Sequence, residues 1–266
     1  TKWVLATRRS FVRDLAGFIE WFQKTKAGGS RPVEVAMFTT EASPSFADMG
    51  KGVAAYVKAN PKVAELVEMV YVEPQPADVT LQLRRVLNAG AEVVLVPASI
   101  QQAVAVKRAM QALGKNVPLV FSAHNAPSVL EKPLGGWAAL EGDYEAHGSV
   151  VTGTDDSEAK RFYDMLVAKH GLKSPWHAFT GLGIGQALVL VRTVEAAAKK
   201  GGGDRITGEA MHKALIDTTF PGKEFFGFTG GDLNFEAGAP FPLKDARVNV
   251  GQVSGGELKT VPTRVG

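Results

Sequence analysis

The stretch Val93-Val94-Leu95-Val96-Pro97-Ala98-Ser99-Ile100-Gln101-Gln102 decides the reading of the fold. Four unbroken apolar residues, three of them β-branched, lead through a short loop into a segment of helical period, Gln102 to Leu113, which stops at Gly114. A strand this short with no polar alternation is expected where both faces are covered, as in a parallel sheet between helices. The same unit repeats outward in both directions. Strands are expected at Val33 to Thr39, Glu68 to Val72, Leu119 to Ser122 and Gly148 to Thr152. Helices are expected at Phe46 to Lys58, Val79 to Leu87 and Ser128 to Leu134, the last closed by Gly135-Gly136. The alternation predicts an α/β fold whose loops at the carboxyl ends of the strands hold any ligand.

Before this run, Phe11 to Lys26 forms an amphipathic helix with Phe11, Leu15, Phe18, Ile19 and Phe22 as its apolar stripe. Beyond Thr152 the pattern changes to three successive helices, Ser157 to His170, Ile184 to Lys200 and Thr207 to Ile216. Their apolar residues, among them Phe162, Val167, Leu188, Val191 and Leu215, need a partner surface, yet no second run of βα units follows. A helical layer without a sheet implies that a neighbouring segment, expected to be the N-terminal one, is missing from this sequence or comes from another chain, and a missing segment is the favoured expectation. The Gly- and Pro-rich stretch from Gly227 to Val261 reads as hairpin and return strands, with strand pieces at Asp232 to Phe235 and Arg247 to Val253.

Composition narrows the function. Of 266 residues 45% are hydrophobic and 21% charged, with a formal net charge of +3, too small an excess for a nucleic-acid binder. No uninterrupted apolar run reaches the 18 or so residues of a membrane span, so the chain is read as not membrane-spanning. It contains no cysteine, which removes thiolate catalysis, cysteine zinc sites and disulfides together.

Enzyme motifs are likewise wanting, and no cofactor is expected. The five histidines show no HxH or HExxH spacing. Gly181-Leu182-Gly183-Ile184-Gly185 lacks the dinucleotide spacing and a preceding apolar strand, and reads instead as a close-packing helix start. There is no GxSxG elbow and no phosphate-binding lysine loop. The chain is therefore expected to bind and not to catalyse.

The order of these segments resembles the periplasmic type I solute-binding proteins of ABC transporters, in the leucine/isoleucine/valine-binding, or branched-chain amino acid receptor, branch. The features that carry the resemblance are Trp3-Val4-Leu5-Ala6-Thr7 as a strand, the βα run, and the helices after Thr152. Two later signatures complete it: Gly227-Phe228-Thr229-Gly230-Gly231-Asp232-Leu233-Asn234-Phe235, and Val248-Asn249-Val250-Gly251-Gln252-Val253 with its Gly255-Gly256 turn. The resemblance implies two α/β lobes joined by three hinge crossings, with a small molecule captured between them and an ABC permease as partner. Residues 1–10 and 152–247 would be what this chain holds of lobe I, without that lobe's sheet; residues 11–151 and 248–266 would be lobe II. Hinges are implied at Thr7 to Ser10, Thr152 to Asp155 and Asp245 to Arg247. A periplasmic address is implied, with the export signal outside this sequence. The same fold also serves sensing domains of regulators and receptors.

The implied ligand loops of lobe II are Thr39 to Phe46, Pro97 to Gln101 and Ser122 to Ala126. Their candidates are Glu41, Ser45 and Phe46 in the first, Ala98, Ser99 and Gln101 in the second, and Ala123, His124 and Asn125 in the third. Amino acid binders of the family place an acidic residue in the third loop against the ligand's ammonium group. Here it reads Ser122-Ala123-His124-Asn125, so a small aromatic or aliphatic carboxylate joins an amino acid as the expected ligand. His124 and Asn125 offer both donors and acceptors and lead the candidates for polar contact.

Overall fold

A computed structural model describes residues 6–201, 206–239, 241–242 and 248–263. These form two compact units. The Trp3 to Thr7 strand and the Asp245 to Arg247 hinge of the sequence reading fall wholly or largely outside the described residues.

The larger unit takes residues 11–147, 153–155 and 248–263 and contains a seven-stranded sheet. Its strands are β1 (Val33–Thr39), β2 (Ala64–Tyr71), β3 (Val93–Val96), β4 (Leu119–Phe121), β5 (Tyr144–His147), β6 (Asn249–Val253) and β7 (Leu258–Val261), in the order β2-β1-β3-β4-β5-β6-β7. The first five run parallel; β6 and β7 return antiparallel. Helices α1 (Phe11–Thr25) and α2 (Pro44–Ala59) pack together, and α3 (Thr80–Asn88), α4 (Ile100–Ala112) and α5 (Pro127–Leu134) pack in succession. The α/β class follows, as does burial of β3 on both faces, where all four residues are inaccessible.

The α1 stripe makes the main core. Leu15, Phe18, Ile19, Trp21 and Phe22 are buried with Val33, Val35, Met37, Val93, Leu95 and Val120. Tyr144 packs among the α1 rings, 5.4 Å from Phe18 and 5.7 Å from Trp21. Aromatic pairs in such tilted and edge-on arrangements each contribute about 0.5–1.5 kcal/mol beyond area burial.

The fifth strand corrects the sequence reading. It lies at Tyr144–His147 and not at Gly148 to Thr152, which forms no strand; Ser149 instead makes an isolated bridge to Thr229 in the other unit's fold. Glu145 and His147 hid it, because an apolar-run criterion passes over two ionisable residues. Both are fully buried, with Glu145 Oε1 3.2 Å from His147 Nε2. Asp143, just before the strand, is buried too. It pairs with the buried Lys107 of α4 and accepts a hydrogen bond from Leu119 N at 3.0 Å. At the far edge, Gly255 and Gly256 turn β6 into β7 with φ of 66° and 75°, the positive values of a two-residue hairpin. The carboxylate of Glu141 accepts from both glycine amides.

The smaller unit takes residues 6–10, 148–152, 156–201, 206–239 and 241–242 of those described. It holds α6 (Glu158–His170), α7 (Ala178–Gly201) and α8 (Gly208–Asp217), and no strand among the described residues. The strand expected at Asp232 to Phe235 is replaced by a single bridge between Phe220 and Leu233. Helix α7 starts six residues earlier than its apolar period suggests, so the glycine cluster lies inside it. Close packing is the use of Gly181, where a Cβ would sit 2.7 Å from Val150 Cγ1. At 24 residues α7 also has the length and hydropathy to cross a bilayer. Its buried residues Gly181, Gly185, Val189, Thr193 and Ala197 recur every four positions and seat one side on the unit's own core. Phe162, Leu188 and Leu215 find partners there, whereas Phe179, Leu190 and Val191 of α7 are exposed.

Burial lifts the Asp143 carboxyl to about 6, against the pull of the Lys107 ammonium. A carboxyl that holds its proton more tightly folded than unfolded favours the protonated native state. That contribution is complete below the unfolded value near 4 and is lost as pH rises through about 6. Removing the ammonium strands the charge, so Lys107→Met is expected to lose about 3–5 kcal/mol at pH 8. The loss should be smaller at pH 5, where Asp143 takes up a proton. Urea unfolding at the two pH values measures this; an equal loss at both contradicts it.

Candidate functional site

The strand order 2-1-3-4-5 places a topological switch between β1 and β3, and the connections leaving these neighbours diverge to α2 and α4. In open α/β sheets the crevice outside the strands' carboxyl ends at such a point is where ligands bind. A cavity of about 230 Å³ lies there. The loop after β1 lines it with Thr40, Ala42, Ser43 and Phe46, the loop after β2 with Pro74 and Gln75, and the start of α4 with Ser99, Gln101 and Gln102.

Hydrogen bonds hold these walls. Thr39, fully buried at the end of β1, has its hydroxyl within bonding distance of Phe46 O (3.1 Å) and Pro97 O (3.2 Å), which ties the β1 and β3 loops together. Ser99 caps α4 in a reciprocal box: its hydroxyl accepts from Gln102 N, and Gln102 Oε1 accepts from Ser99 N at 2.9 Å. The amide of Gln102 then donates to Glu73 O at 2.7 Å and Val72 O at 3.3 Å, fixing the Pro74–Gln75 wall. Ser43, at the N-cap of α2, makes no side-chain bond to its helix, so its hydroxyl stays free for the cavity. Pro44 at the first helical turn lacks an N–H to cap.

His124 stands beside this cavity. Its ring centroid is 5.3 Å from that of Phe46, edge-on at 79°, and 4.5 Å from that of Phe11. All three rings are partly exposed.

The structure thus brings Phe46, Ser99 and Gln101 together as cavity lining, with His124 against Phe46. It disperses the other candidates. Glu41 and Ser45 are exposed and do not line the cavity. Ala98 and Ala123 are buried in the packing. Asn125 is inaccessible, and its amide is committed within the scaffold: Oδ1 accepts from Ser122 N at 2.9 Å and from its hydroxyl at 3.2 Å, while Nδ2 donates to Val96 O at 2.9 Å. An asparagine suits both a turn and a ligand, and only its hydrogen bonds separate the two. The contributions of Ser43, Pro74, Gln75, Gln102 and Phe11 were missed. For Pro74 and Gln75 the signal was available, since they follow a parallel strand as the other loops do.

A second hollow, about 270 Å³, runs along the outer side of α4 between Asp78 and Arg108, farther from the strand ends. Asp78 is spent at the start of α3, where hydrogen bonds from the hydroxyl and backbone N–H of Thr80 hold its carboxyl below the usual carboxylate range.

Replacing Gln102 by Leu leaves three buried or half-buried backbone partners unmet, at roughly 1–3 kcal/mol. The Pro74–Gln75 loop should then exchange its amide hydrogens faster while those of β4 stay protected. Unchanged exchange at 73–75 contradicts this assignment.

Comparison with proteins of curated function finds no match. Among solved structures, similar chains include a branched-chain amino acid ABC transporter protein from Thermus thermophilus with bound valine (18% identity, TM-score 0.76, 96% of this chain and 65% of that one). Others are a solute-binding protein of an ABC transporter from R. palustris in complex with benzoate (17%, 0.70, 97% and 64%) and a leucine-binding protein from Thermotoga maritima (15%, 0.68, 94% and 65%). The chain therefore spans just under two thirds of their length. At these identities the likeness establishes the periplasmic-binding-protein type I fold. The family described as periplasmic binding protein matches residues 1–240, nine tenths of the sequence, and the chain belongs to that family.

Proposed function

We propose that this chain is the ligand-capturing part of an extracytoplasmic receptor that takes up a small molecule and delivers it to the permease of an ABC importer. The observation that carries the reading is the cavity where β1 and β3 diverge, lined by side chains from three successive strand-to-helix loops. Its ligand is an amino acid or a small aromatic or aliphatic carboxylate; relatives of the same fold hold valine and benzoate. In this reading the sheet unit is the second lobe and the helical unit belongs to the first, the protein works in the periplasm, and it binds without turning its ligand over.

The chemistry is recognition alone. Thr40, Ser43 and Ser99 supply hydroxyls, Gln75 and Gln101 supply amides, and Phe46 supplies an apolar face. A ligand that prefers the folded, loop-ordered protein stabilises it by mass action. At a hundred times its dissociation constant the gain is about 2.7 kcal/mol, or roughly 5–10 °C in melting temperature for a chain of this size. A thermal-shift series with valine, leucine, benzoate and isovalerate should give such a shift for at least one compound. No shift for any of them at millimolar concentration contradicts the proposal.

A further inference from the structure

We propose that the cavity at the β1–β3 switch point receives the uncharged ring of a small aromatic compound and makes no provision for an ammonium group. This deepens the receptor reading and rests on it.

Three observations converge. First, none of the residues described as lining the cavity carries an ionisable side chain; the polar groups are hydroxyls and primary amides, suited to carbonyl or hydroxyl oxygen. Glu41, the acidic residue of the β1 loop, points its charge to solvent and is not part of the lining. An ammonium drawn into this cavity would lose water and gain no counter-charge, a costly exchange. Second, the volume fits a ring. A cavity of about 150 Å³ suffices for benzene, so about 230 Å³ takes a six-membered ring with one or two substituents. Third, the aromatic wall is set in advance. The Phe46 ring lies edge-on to His124, which is itself packed against Phe11, so a neighbour held in place restricts the rotamers of Phe46 before any ligand arrives. A flat ring gains offset or edge-on stacking from Phe46 that a branched aliphatic chain of similar volume does not.

The carboxylate of such a compound then lies outside the cavity, and selectivity for the ring is read by Phe46, with Gln101 at the rim. Neither role requires a change in the scaffold: Gln101 is exposed in the first turn of α4, where a glutamate is compatible with the helix.

Titration calorimetry on the whole chain with benzoate, isovalerate and valine tests this. Benzoate should bind about 3- to 10-fold more tightly than isovalerate, the range that one aromatic contact supplies, with valine weaker than both. Phe46→Leu keeps apolar bulk without a ring and should abolish the preference for benzoate over isovalerate. Gln101→Glu should weaken benzoate and strengthen valine, opposite signs that a general loss of packing does not produce. Melting curves of each variant check that it folds. Tightest binding of valine or isovalerate, or a benzoate preference that survives in Phe46→Leu, overturns this inference and leaves the receptor reading standing. Binding of none of the three overturns the receptor reading and this inference with it.

Discussion

Parallel pairing of β1 with β3, and the divergence of the chain to either side of that pair, is the constraint on which the site depends. Neighbouring parallel strands whose helices leave in different directions cannot close the space above their carboxyl ends, because neither α2 nor α4 passes over it. The crevice comes from topology. Its walls come from side chains: Thr39 binds the β1 and β3 loops to each other, and Gln102 binds the β3 loop to the β2 loop. In the proposed receptor reading the task is recognition, and these supporting bonds take the place that acid–base machinery takes in an enzyme. The rigid sheet below and the two polar stitches above keep the hydroxyls and amides of the lining in register.

The far side of the sheet buries ionisable groups. Asp143 with Lys107, and Glu145 with His147, are buried around β5, the last parallel strand before the antiparallel return. Buried pairs of this kind are weak sources of net stability but punish the loss of one partner. They restrict the residues that can stand at the end of β5. They also explain the limit of legibility there: hydrophobic periodicity finds strands that bury apolar faces, and Tyr144-Glu145-Ala146-His147 buries two ionisable side chains.

Elsewhere most of the sheet unit was legible. Strands β1, β3 and β4 and helices α1 to α5 announce themselves by short apolar runs, helical stripes and stopping glycines, with ends displaced by a few residues. The site was legible in part, for a reason that Asn125 and Phe46 illustrate. Both were placed by the rule that ligands meet loops after parallel strands. The rule locates a loop; it does not say which way a side chain points. Phe46 lines the cavity, whereas the amide of Asn125 is consumed by Ser122 and Val96. Phe11 shows the converse, a residue read as core stripe that ends against His124. The helical unit was the least legible: the Gly181–Gly185 cluster was read as a close-packing helix start, and the close packing holds, but α7 begins at Ala178 and carries these glycines within it.

The central claim is that the carboxyl edge of this sheet is a small-molecule site. Amide hydrogen exchange of the chain with and without saturating benzoate tests it most directly. Added protection is predicted in the three loops after β1, β2 and β3, at residues 40–46, 73–77 and 98–102, with no change at the opposite edge, where β1 and β3 begin. Protection confined to that opposite edge, or to the outer side of α4 around Asp78 and Arg108, would contradict the account.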